Sequence, residues 1–272
     1  MSTPKSILFL GATGGVAQTA LLSSLAAGHT CVALARSASK LAAALPFPSY
    51  PNLTIIEGNA RDQATMERAL VVPGSSSSPQ QRMVDIVVSS VGSLPSLRNG
   101  GLLEDSAVCA TSMAAMLAAI DVLAARFSPA ATPTIPRIVA VSSTGLSRFG
   151  RDVPLAFVPL YWVALAAPHR DKEKMERLLV HGPDGKDDDT AVTAAARPEF
   201  TIIRGSLYVA DDESKREKPV RVGIEDPVKG IESKAIGYTI SREAIGRWIF
   251  SNLLEDDALS KQYSGKVVTL TY

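Results

Sequence analysis

The stretch ILFLGATGGVAQTALLSSLAAG, residues 7–28, joins two different patterns of apolar residues. Its first four residues are continuously apolar, which is typical of a buried strand, whereas residues 16–26 have the spacing of a helix. Gly11, Gly14 and Ala17 form the pattern G-x-x-G-x-x-A between the two. Glycines also end strands for structural reasons alone, but small residues at a strand-to-helix junction let the backbone approach a pyrophosphate. The stretch therefore predicts a dinucleotide-binding turn whose contacts come from Gly11, Thr13, Gly14, Gly15 and Val16.

Short apolar runs and helical patterns alternate along the rest of the chain. The predicted strands cover residues 7–10, 31–34, 53–56, 84–89, 138–141, 201–203 and 267–270. The predicted helices cover residues 16–26, 63–70, 107–125, 170–180 and 242–254, the last of them capped by Ser241. This alternation predicts βαβ units, and hence an α/β fold with a doubly wound parallel sheet. We expect one domain over residues 1–272, in which the charged and weakly periodic segment 205–240 forms a small lobe beside the sheet.

Composition and charge argue against several classes of protein. With 272 residues, of which 46% are hydrophobic, the chain is long enough to bury a ligand. Its net charge of +1 provides no field for nucleic acid or for an anionic membrane. Cys31 and Cys109 are the only cysteines, and they form neither a disulfide framework nor a CxxC metal clip, which favours a reducing, cytoplasmic setting. The apolar run 153–167 contains prolines and is too short for a bilayer-spanning helix, which needs about 20 residues.

The partner that these properties favour is a small-molecule substrate, with no nucleic acid, no membrane and no metal. The expected state is a monomer or a homodimer. Two polar segments, 74–81 and 181–190, interrupt the alternation of strands and helices and are predicted to be surface insertions.

The residues after the second predicted strand bear on the choice of dinucleotide. Proteins that bind NAD usually place a carboxylate there for the ribose hydroxyls, but no Asp or Glu precedes Glu57. Arg36 stands at this position in ALARSASK, and Lys40 follows four residues later. Ser37 and Ser39 add hydroxyl donors. Because a guanidinium fork suits a 2′-phosphate, the sequence favours NADP over NAD, although an ordinary surface arginine would give the same pattern.

Open parallel sheets bind their ligands outside the carboxyl ends of the strands. At that edge the motif EGNARD, residues 57–62, offers Asn59 or Ala60 to the adenine, although a plain turn explains the motif almost as well. Residues 142–144 and 204–206 follow two other predicted strands. The remaining cofactor candidates at this edge are Ser89, Ser90, Val91 and Gly92.

Motifs spread over almost the whole chain resemble those of one family: GATGGVA, EGNARD, VVSSVG, VAVSSTG, HRDK, TIIRG and YTISREAIGRWI. The chain resembles an atypical short-chain dehydrogenase/reductase of the NmrA-like, NAD(P)H-binding type. The resemblance implies a Rossmann-like domain with a small C-terminal substrate lobe and a nicotinamide site near residues 89–92. It also implies that Ser142 or Ser143 is the family's active-site serine, which hydrogen-bonds a substrate oxygen.

The sequence departs from the superfamily at the proton donor. Typical reductases use a YxxxK pair, in which the tyrosine donates a proton while the lysine lowers its pKa and holds the ribose. Tyr161 lies 19 residues beyond Ser142, but Leu165 occupies the place of the lysine. Lys172 matches the helix lysine of NmrA-like relatives, but Pro168 stands where its tyrosine partner would be.

Each of these candidates has a second interpretation. Lys172 either contacts the cofactor or forms a helical pair with Glu176. His169 either donates a proton or is a surface histidine near the start of a helix. Three aromatic residues either wall a hydrophobic pocket over the nicotinamide or belong to the core: Tyr161, Trp162 and Tyr208.

Two classes of function fit these residues. The first is an NADPH-dependent oxidoreductase that reduces a carbonyl, imine or enone in an apolar small molecule, with Ser142, Tyr161 or bound water handling the proton. The second keeps the cofactor without redox turnover, as an NADPH sensor or as an isomerase or cyclase that uses the same pocket. The missing YxxxK pair makes the second class a serious alternative.

Overall fold

A computed structural model of the chain describes residues 3–46, 50–72, 81–92, 105–127, 135–157, 166–182, 197–210 and 218–272. Its strands are β1 Ser6–Leu10, β2 Thr30–Ala35, β3 Leu53–Glu57, β4 Val71–Val72, β5 Arg82–Met83, β6 Ile86–Ser89, β7 Arg137–Ser143, β8 Phe200–Gly205, β9 Leu207–Val209, β10 Arg221–Asp226, β11 Gly230–Ser233, β12 Thr239–Ser241 and β13 Lys266–Thr271. Its α-helices are α1 Gly15–Ala26, α2 Ala38–Ala44, α3 Gln63–Leu70, α4 Val108–Phe127, α5 Ala166–His181, α6 Arg242–Ile249 and α7 Asp257–Gln262.

Nine of these strands form one sheet in the order β11-β10-β13-β8-β7-β6-β1-β2-β3. Neighbouring strands from β3 to β13 are parallel, whereas β10 and β11 are antiparallel additions at one edge. The chain runs outward from β1 to β2 and β3 and then returns to β6 on the other side of β1. The predicted doubly wound sheet is thus confirmed, and its order reverses between β1 and β6, where such sheets bind ligands.

Strand β1 shows how the sheet separates two apolar cores. Ile7 and Phe9 face the first core, and Leu8 and Leu10 face the second. Helices α1 and α6 cover the first core, whereas α3, α4 and α5 cover the second. Because both faces of the sheet are covered, its central strands are apolar throughout, which is the pattern that predicted them.

Helices α1 and α6 pack together unusually closely. A Cβ atom added to Gly246 would lie 2.5 Å from the carbonyl oxygen of Val16 and 2.6 Å from the Cβ of Thr19. The two backbones therefore approach each other without an intervening side chain. This contact brings the N-termini of both helices to the same edge of the sheet.

Two predicted segments differ from the structure. The helix predicted over residues 242–254 is α-helical only to Ile249, and Phe250–Leu254 forms a π-helical turn. The segment 205–240 is only partly a lobe beside the sheet, because β10 and β11 extend the main sheet while β9 and β12 form a two-stranded parallel sheet. Buried and half-buried positions alternate from Val222 to Asp226 of β10, and three of its six residues are charged, so it lacks the continuous apolar run of the central strands. The predicted insertions 74–81 and 181–190 lie almost entirely outside the described residues.

Helix α4 has 20 residues and is apolar enough to cross a membrane by length and composition alone. In the structure one of its faces is buried in the second core, through Met113, Met116, Ile120 and Leu123. The helix packs between α3 and α5. These are the contacts of a core helix in a globular fold.

Candidate functional site

The turn between β1 and α1 lies against the end of β6. Gly11 has a φ of +78°, and a Cβ atom added to it would lie 2.5 Å from the carbonyl oxygen of Ser90. A side chain at this position would both strain the turn and clash with the backbone of the adjacent strand. The amide of Gly14 donates a hydrogen bond to the Gly11 carbonyl at 2.9 Å, which tightens the bend. The glycines thus bring the turn to the switch point between β1 and β6.

The N-terminus of α1 opens at this turn. Its N-cap is Gly14, no side chain among the described residues caps it, and its first turn contains no acidic residue. Thr13 and Gly14 are exposed, whereas the side chain of Val16 is buried in the first core. Val16 can therefore contact a ligand only through its backbone. A helix start whose first amide groups have no intrahelical acceptor suits a phosphate.

The exposed side chain of Arg36 follows β2 directly. Ser37 caps α2 by accepting a hydrogen bond from the Lys40 amide at 3.3 Å. The Ser37 and Ser39 hydroxyls lie 3.1 Å apart and bond to each other. The side chain of Lys40 is exposed on α2. Arg36 and Lys40 therefore present two cations at the carboxyl end of β2.

Sequence reasoning missed Glu57 as a neighbour of these cations. Strand β3 pairs with β2 in a register that places Glu57 beside Ala35. The Glu57 carboxylate accepts a hydrogen bond from the Ala38 amide at 2.8 Å. The lack of Asp and Glu before Glu57 in the sequence therefore does not keep a carboxylate away from the end of β2, because strand pairing supplies one.

Asn59 and Ala60 lie in the turn that follows β3. The side-chain oxygen of Asn59 accepts a hydrogen bond from the Arg61 amide at 3.1 Å, and its carbonyl accepts one from the Asp62 amide at 3.0 Å. Ala60 packs against the second core. Asp62 in turn caps α3 by accepting a hydrogen bond from the Thr65 amide at 2.9 Å. These contacts shape the turn and leave Asn59 exposed at the ligand-binding edge of the sheet.

The residues at the end of β6 are held in place by α4. Ser89 is buried, Ser90 and Val91 are half-buried, and Gly92 is exposed. The thiol of Cys109 donates a hydrogen bond to the Val91 carbonyl at 3.3 Å. Burial raises the pKa of Cys109 to about 12, so it remains a neutral thiol.

Asp171 connects the start of α4 to α5. Its buried carboxylate accepts hydrogen bonds from the amides of Cys109 and Ala110 at 2.8 and 3.0 Å. It thereby satisfies two amide groups that the helix leaves without an acceptor. Because Asp171 immediately precedes Lys172, this contact also fixes the backbone of Lys172 near the edge of the sheet.

Ser142 is turned away from the crevice and is fully buried. Its hydroxyl donates a hydrogen bond to the Glu176 carboxylate at 2.5 Å. Arg204 binds both oxygens of Glu176, at 2.6 and 3.1 Å, and also binds Glu225 at 3.0 Å. Burial alone would lower the pKa of Arg204, but the two carboxylates raise it, so the guanidinium stays charged. We call Ser142, Glu176, Arg204 and Glu225 the buried ion network.

The buried ion network bears on the helical pair with Glu176 that the sequence suggested for Lys172. Glu176 is buried and pairs with Arg204, so it does not form a surface pair with Lys172. Ser143 is half-buried and, as the next residue of the strand, points to the face opposite Ser142.

Tyr208 lies over the carboxyl ends of β7 and β8, and its ring contacts a cation from each of the helices α5 and α6. Its hydroxyl donates a hydrogen bond to the backbone carbonyl of Ser142. Its ring covers Gly205, at which a Cβ atom would lie 2.5 Å from a ring carbon. The ammonium of Lys172 lies 5.5 Å from the ring centroid and the guanidinium of Arg242 lies 5.9 Å from it. Burial lowers the pKa of Lys172, an effect that neighbouring acidic groups partly offset.

His169 lies in the first turns of α5 and hydrogen-bonds to the backbone of Thr144. Burial, and then the charge of Lys172, lower its pKa to about 4. At neutral pH the imidazole is therefore uncharged and carries no readily transferred proton. This argues against the role of proton donor that the sequence suggested for His169.

Several predicted positions lie outside the described residues, namely Tyr161, Trp162 and Leu165. Pro168 is described and occupies the first turn of α5, where its lack of an amide proton costs nothing. In the part of the chain that the structure describes, no group of three or more His, Cys, Asp or Glu side chains could hold a metal ion.

The pH dependence of stability tests the environment of His169. The unfolded state binds a proton near pH 6.5 and the folded state only near pH 4, so the free energy of unfolding should fall as pH decreases between these values. The expected loss is about 1.4 kcal/mol for each unit of separation between the two pKa values. NMR titration of the ring, assigned with His169→Gln, should show a midpoint near 4, and His169→Gln should flatten the dependence. A midpoint near 6.5 would show that the imidazole is solvated.

The residues around the crevice fit a nicotinamide dinucleotide. Gly11 leaves the space that a Cβ atom would fill, and α1 starts there with amide groups that have no acceptor. Arg36 stands beyond β2 on one side of the switch point, and Lys172 and Tyr208 stand over β7 and β8 on the other. An extended ligand with phosphates at its centre matches this distribution of groups.

The comparisons with solved structures agree with the fold. A short-chain dehydrogenase/reductase from Veillonella parvula, in complex with NADP, has a TM-score of 0.64 and 18% identity, over 99% of this chain and 95% of that one. ChuY, an anaerobillin reductase from Escherichia coli O157:H7, has a TM-score of 0.57 and 17% identity, over 97% and 96% of the two chains. At these identities the likeness extends to the fold alone.

The comparisons with other sequences extend over most of the chain. A family model described as NAD(P)H-binding matches residues 11–256. Reductase pytE of Aspergillus terreus is 36% identical over 281 residues, covering 100% of this chain and 99% of the relative. Oxidase pynE of Aspergillus niger is 30% identical over 278 residues, covering 93% and 94%. The chain therefore belongs to the NAD(P)H-binding family of Rossmann-like oxidoreductases.

Proposed function

We propose that the protein is an NADPH-dependent reductase of a carbonyl, imine or enone in an apolar small molecule. The observation that carries this proposal is the glycine turn at the switch point, where Gly11 lies against the backbone carbonyl of Ser90. The likeness to a reductase and an oxidase over nearly the full chain favours redox turnover over a sensor, an isomerase or a cyclase. When bound, a reduced nicotinamide supplies a hydride.

Exposed apolar side chains support an apolar substrate. Leu155 lies in the segment that follows the carboxyl end of β7 and is 72% exposed. Tyr238, which is 55% exposed, stacks edge-on against Phe157 of the same segment, with ring centroids 5.1 Å apart. Large apolar groups gathered beside a ligand-binding edge are typical of a site for an apolar molecule.

The described hydroxyl groups at this edge include those of Ser143 and Tyr208. Ser142 cannot serve, since its hydroxyl is buried and bonded to Glu176. We therefore assign to Ser143 the hydrogen bond to the substrate oxygen that the family resemblance implied for Ser142 or Ser143. Lys172, whose ammonium lies 5.5 Å from the centroid of the Tyr208 ring, would stabilise negative charge that develops beside it.

The direct test is to mix the protein with NADPH and a panel of apolar carbonyl, imine and enone compounds. The expected result is loss of reduced-nicotinamide absorbance with at least one compound. Absence of any loss across the panel would count against reduction. Conversion of a compound while the cofactor is oxidised and stays oxidised would instead indicate isomerase or cyclase chemistry.

The two adjacent serines provide a matched pair of variants. With a substrate from the panel, Ser143→Ala should lower kcat about 100-fold, because it removes a donor to the reacting oxygen. Ser142→Ala should leave kcat within about threefold and lower the free energy of unfolding by about 1 to 2 kcal/mol, because Glu176 loses a hydrogen bond. The opposite pattern, measured by steady-state kinetics and urea unfolding, would return the catalytic role to Ser142.

Arg36 should set the preference for NADPH. Replacing it in Arg36→Ala should weaken NADPH binding by about 1.5 to 3 kcal/mol, the value of a charge-assisted contact, and leave NADH binding nearly unchanged. Glu57→Gln should favour NADPH, since it removes the carboxylate that lies beside Ala38. Calorimetric titration of both nucleotides measures these effects. Equal losses for the two nucleotides in Arg36→Ala would show that Arg36 does not contact the 2′-phosphate.

A further inference from the structure

Arg242 begins α6 and lies along the glycine turn. A Cβ atom built on Gly15 would be 3.0 Å from the Cβ of Arg242 and 3.4 Å from its Cδ. The aliphatic part of the arginine therefore runs beside the first residue of α1. This position follows from the close packing of Gly246 on α1, which aligns the two helix starts.

The guanidinium of Arg242 extends from this turn toward Tyr208 and lies 5.9 Å from its ring centroid. Its side chain thus connects the glycine turn to the edge where Lys172 also contacts Tyr208. Among the residues that the structure describes, Arg242 forms no ion pair with a carboxylate. A half-buried guanidinium held by an aromatic ring keeps its donors available for an anion.

Glu243 lies at the same turn and places a carboxylate beside Gly15. Its Oε1 atom lies 3.0 Å from the position of a Cβ on Gly15. Its Oε2 atom is buried and has no hydrogen-bond partner among the described residues. A carboxylate at this distance opposes the approach of a phosphate, and the positive charge of Arg242 next to it offsets that repulsion.

We propose that Arg242 is a ligand of the pyrophosphate of the dinucleotide, bound jointly by its guanidinium and the first amides of α1. The inference rests on the proposed function, because it requires a nicotinamide dinucleotide in the crevice. It assigns the two arginines different tasks. Arg36 distinguishes NADPH from NADH, whereas Arg242 binds the part that the two nucleotides share.

Three ligands separate these tasks in binding experiments that need no turnover. NADPH contains both the pyrophosphate and the 2′-phosphate, NADH contains only the pyrophosphate, and adenosine 2′-monophosphate contains only the 2′-phosphate. Affinities are measured by calorimetry, or by competition for the weak monophosphate. The variants are Arg242→Gln and the matched control Arg36→Gln.

Arg242→Gln should weaken the binding of NADPH and of NADH by the same factor, about tenfold or more. Its affinity for adenosine 2′-monophosphate should stay within about twofold of the wild-type value. Arg36→Gln should weaken the binding of NADPH and of adenosine 2′-monophosphate, and its affinity for NADH should stay within about twofold of the wild-type value. Arg242→Lys, which keeps the charge but lacks the fork, should bind both dinucleotides with intermediate affinity. Retained binding of the monophosphate also shows that Arg242→Gln is folded.

Two results would overturn the inference while leaving the proposed function intact. One is wild-type affinity of Arg242→Gln for both dinucleotides, and the other is a loss confined to NADPH. If the wild-type protein binds neither dinucleotide, the proposed function fails and the assignment of Arg242 fails with it. The two failures are therefore distinguished by the wild-type titration alone.

Discussion

No side chain fits at Gly11, because the carbonyl oxygen of Ser90 lies 2.5 Å from where a Cβ atom would be. This contact holds the turn after β1 against the end of β6, at the point where the strand order reverses. The uncapped start of α1 is placed there as a result. A second close approach, that of Gly246 to the carbonyl of Val16, then brings the start of α6 to the same place. The geometry of the crevice thus depends on two positions where backbone meets backbone.

Cations and carboxylates both lie at the edge of this crevice. Beyond β2 the cation Arg36 has the Glu57 carboxylate nearby, on the adjacent strand. At the turn itself, Arg242 and Glu243 both lie against Gly15. The whole chain has a net charge of only +1, so no long-range field selects an anionic ligand. Binding of a dinucleotide therefore depends on local contacts at the crevice and not on the overall charge.

The buried ion network joins parts of the chain that are far apart in sequence. Arg204 of β8 binds Glu176 of α5 and Glu225 of β10, and it thereby ties the helix that carries Lys172 to the strands that extend the sheet. Removing charges from water is costly, so the attraction between these groups is offset by the loss of their hydration. It also engages the hydroxyl of Ser142, whereas the adjacent Ser143 points to the opposite face of the sheet.

The sequence by itself determined the seven parallel strands of the sheet, five of the helices and the position of the glycine turn. Those features depend on patterns within short windows: continuous apolar strands, helical spacing, and glycines at a junction. Glu57, Asp171 and Arg242 could not be recognised in this way, because their partners are brought to them by strand register and helix packing. The tertiary structure alone decided that Ser142 points into the interior and that β10 joins the main sheet. Charges that are distant along the chain interact only once the strands and helices have packed, and no local pattern records those distances.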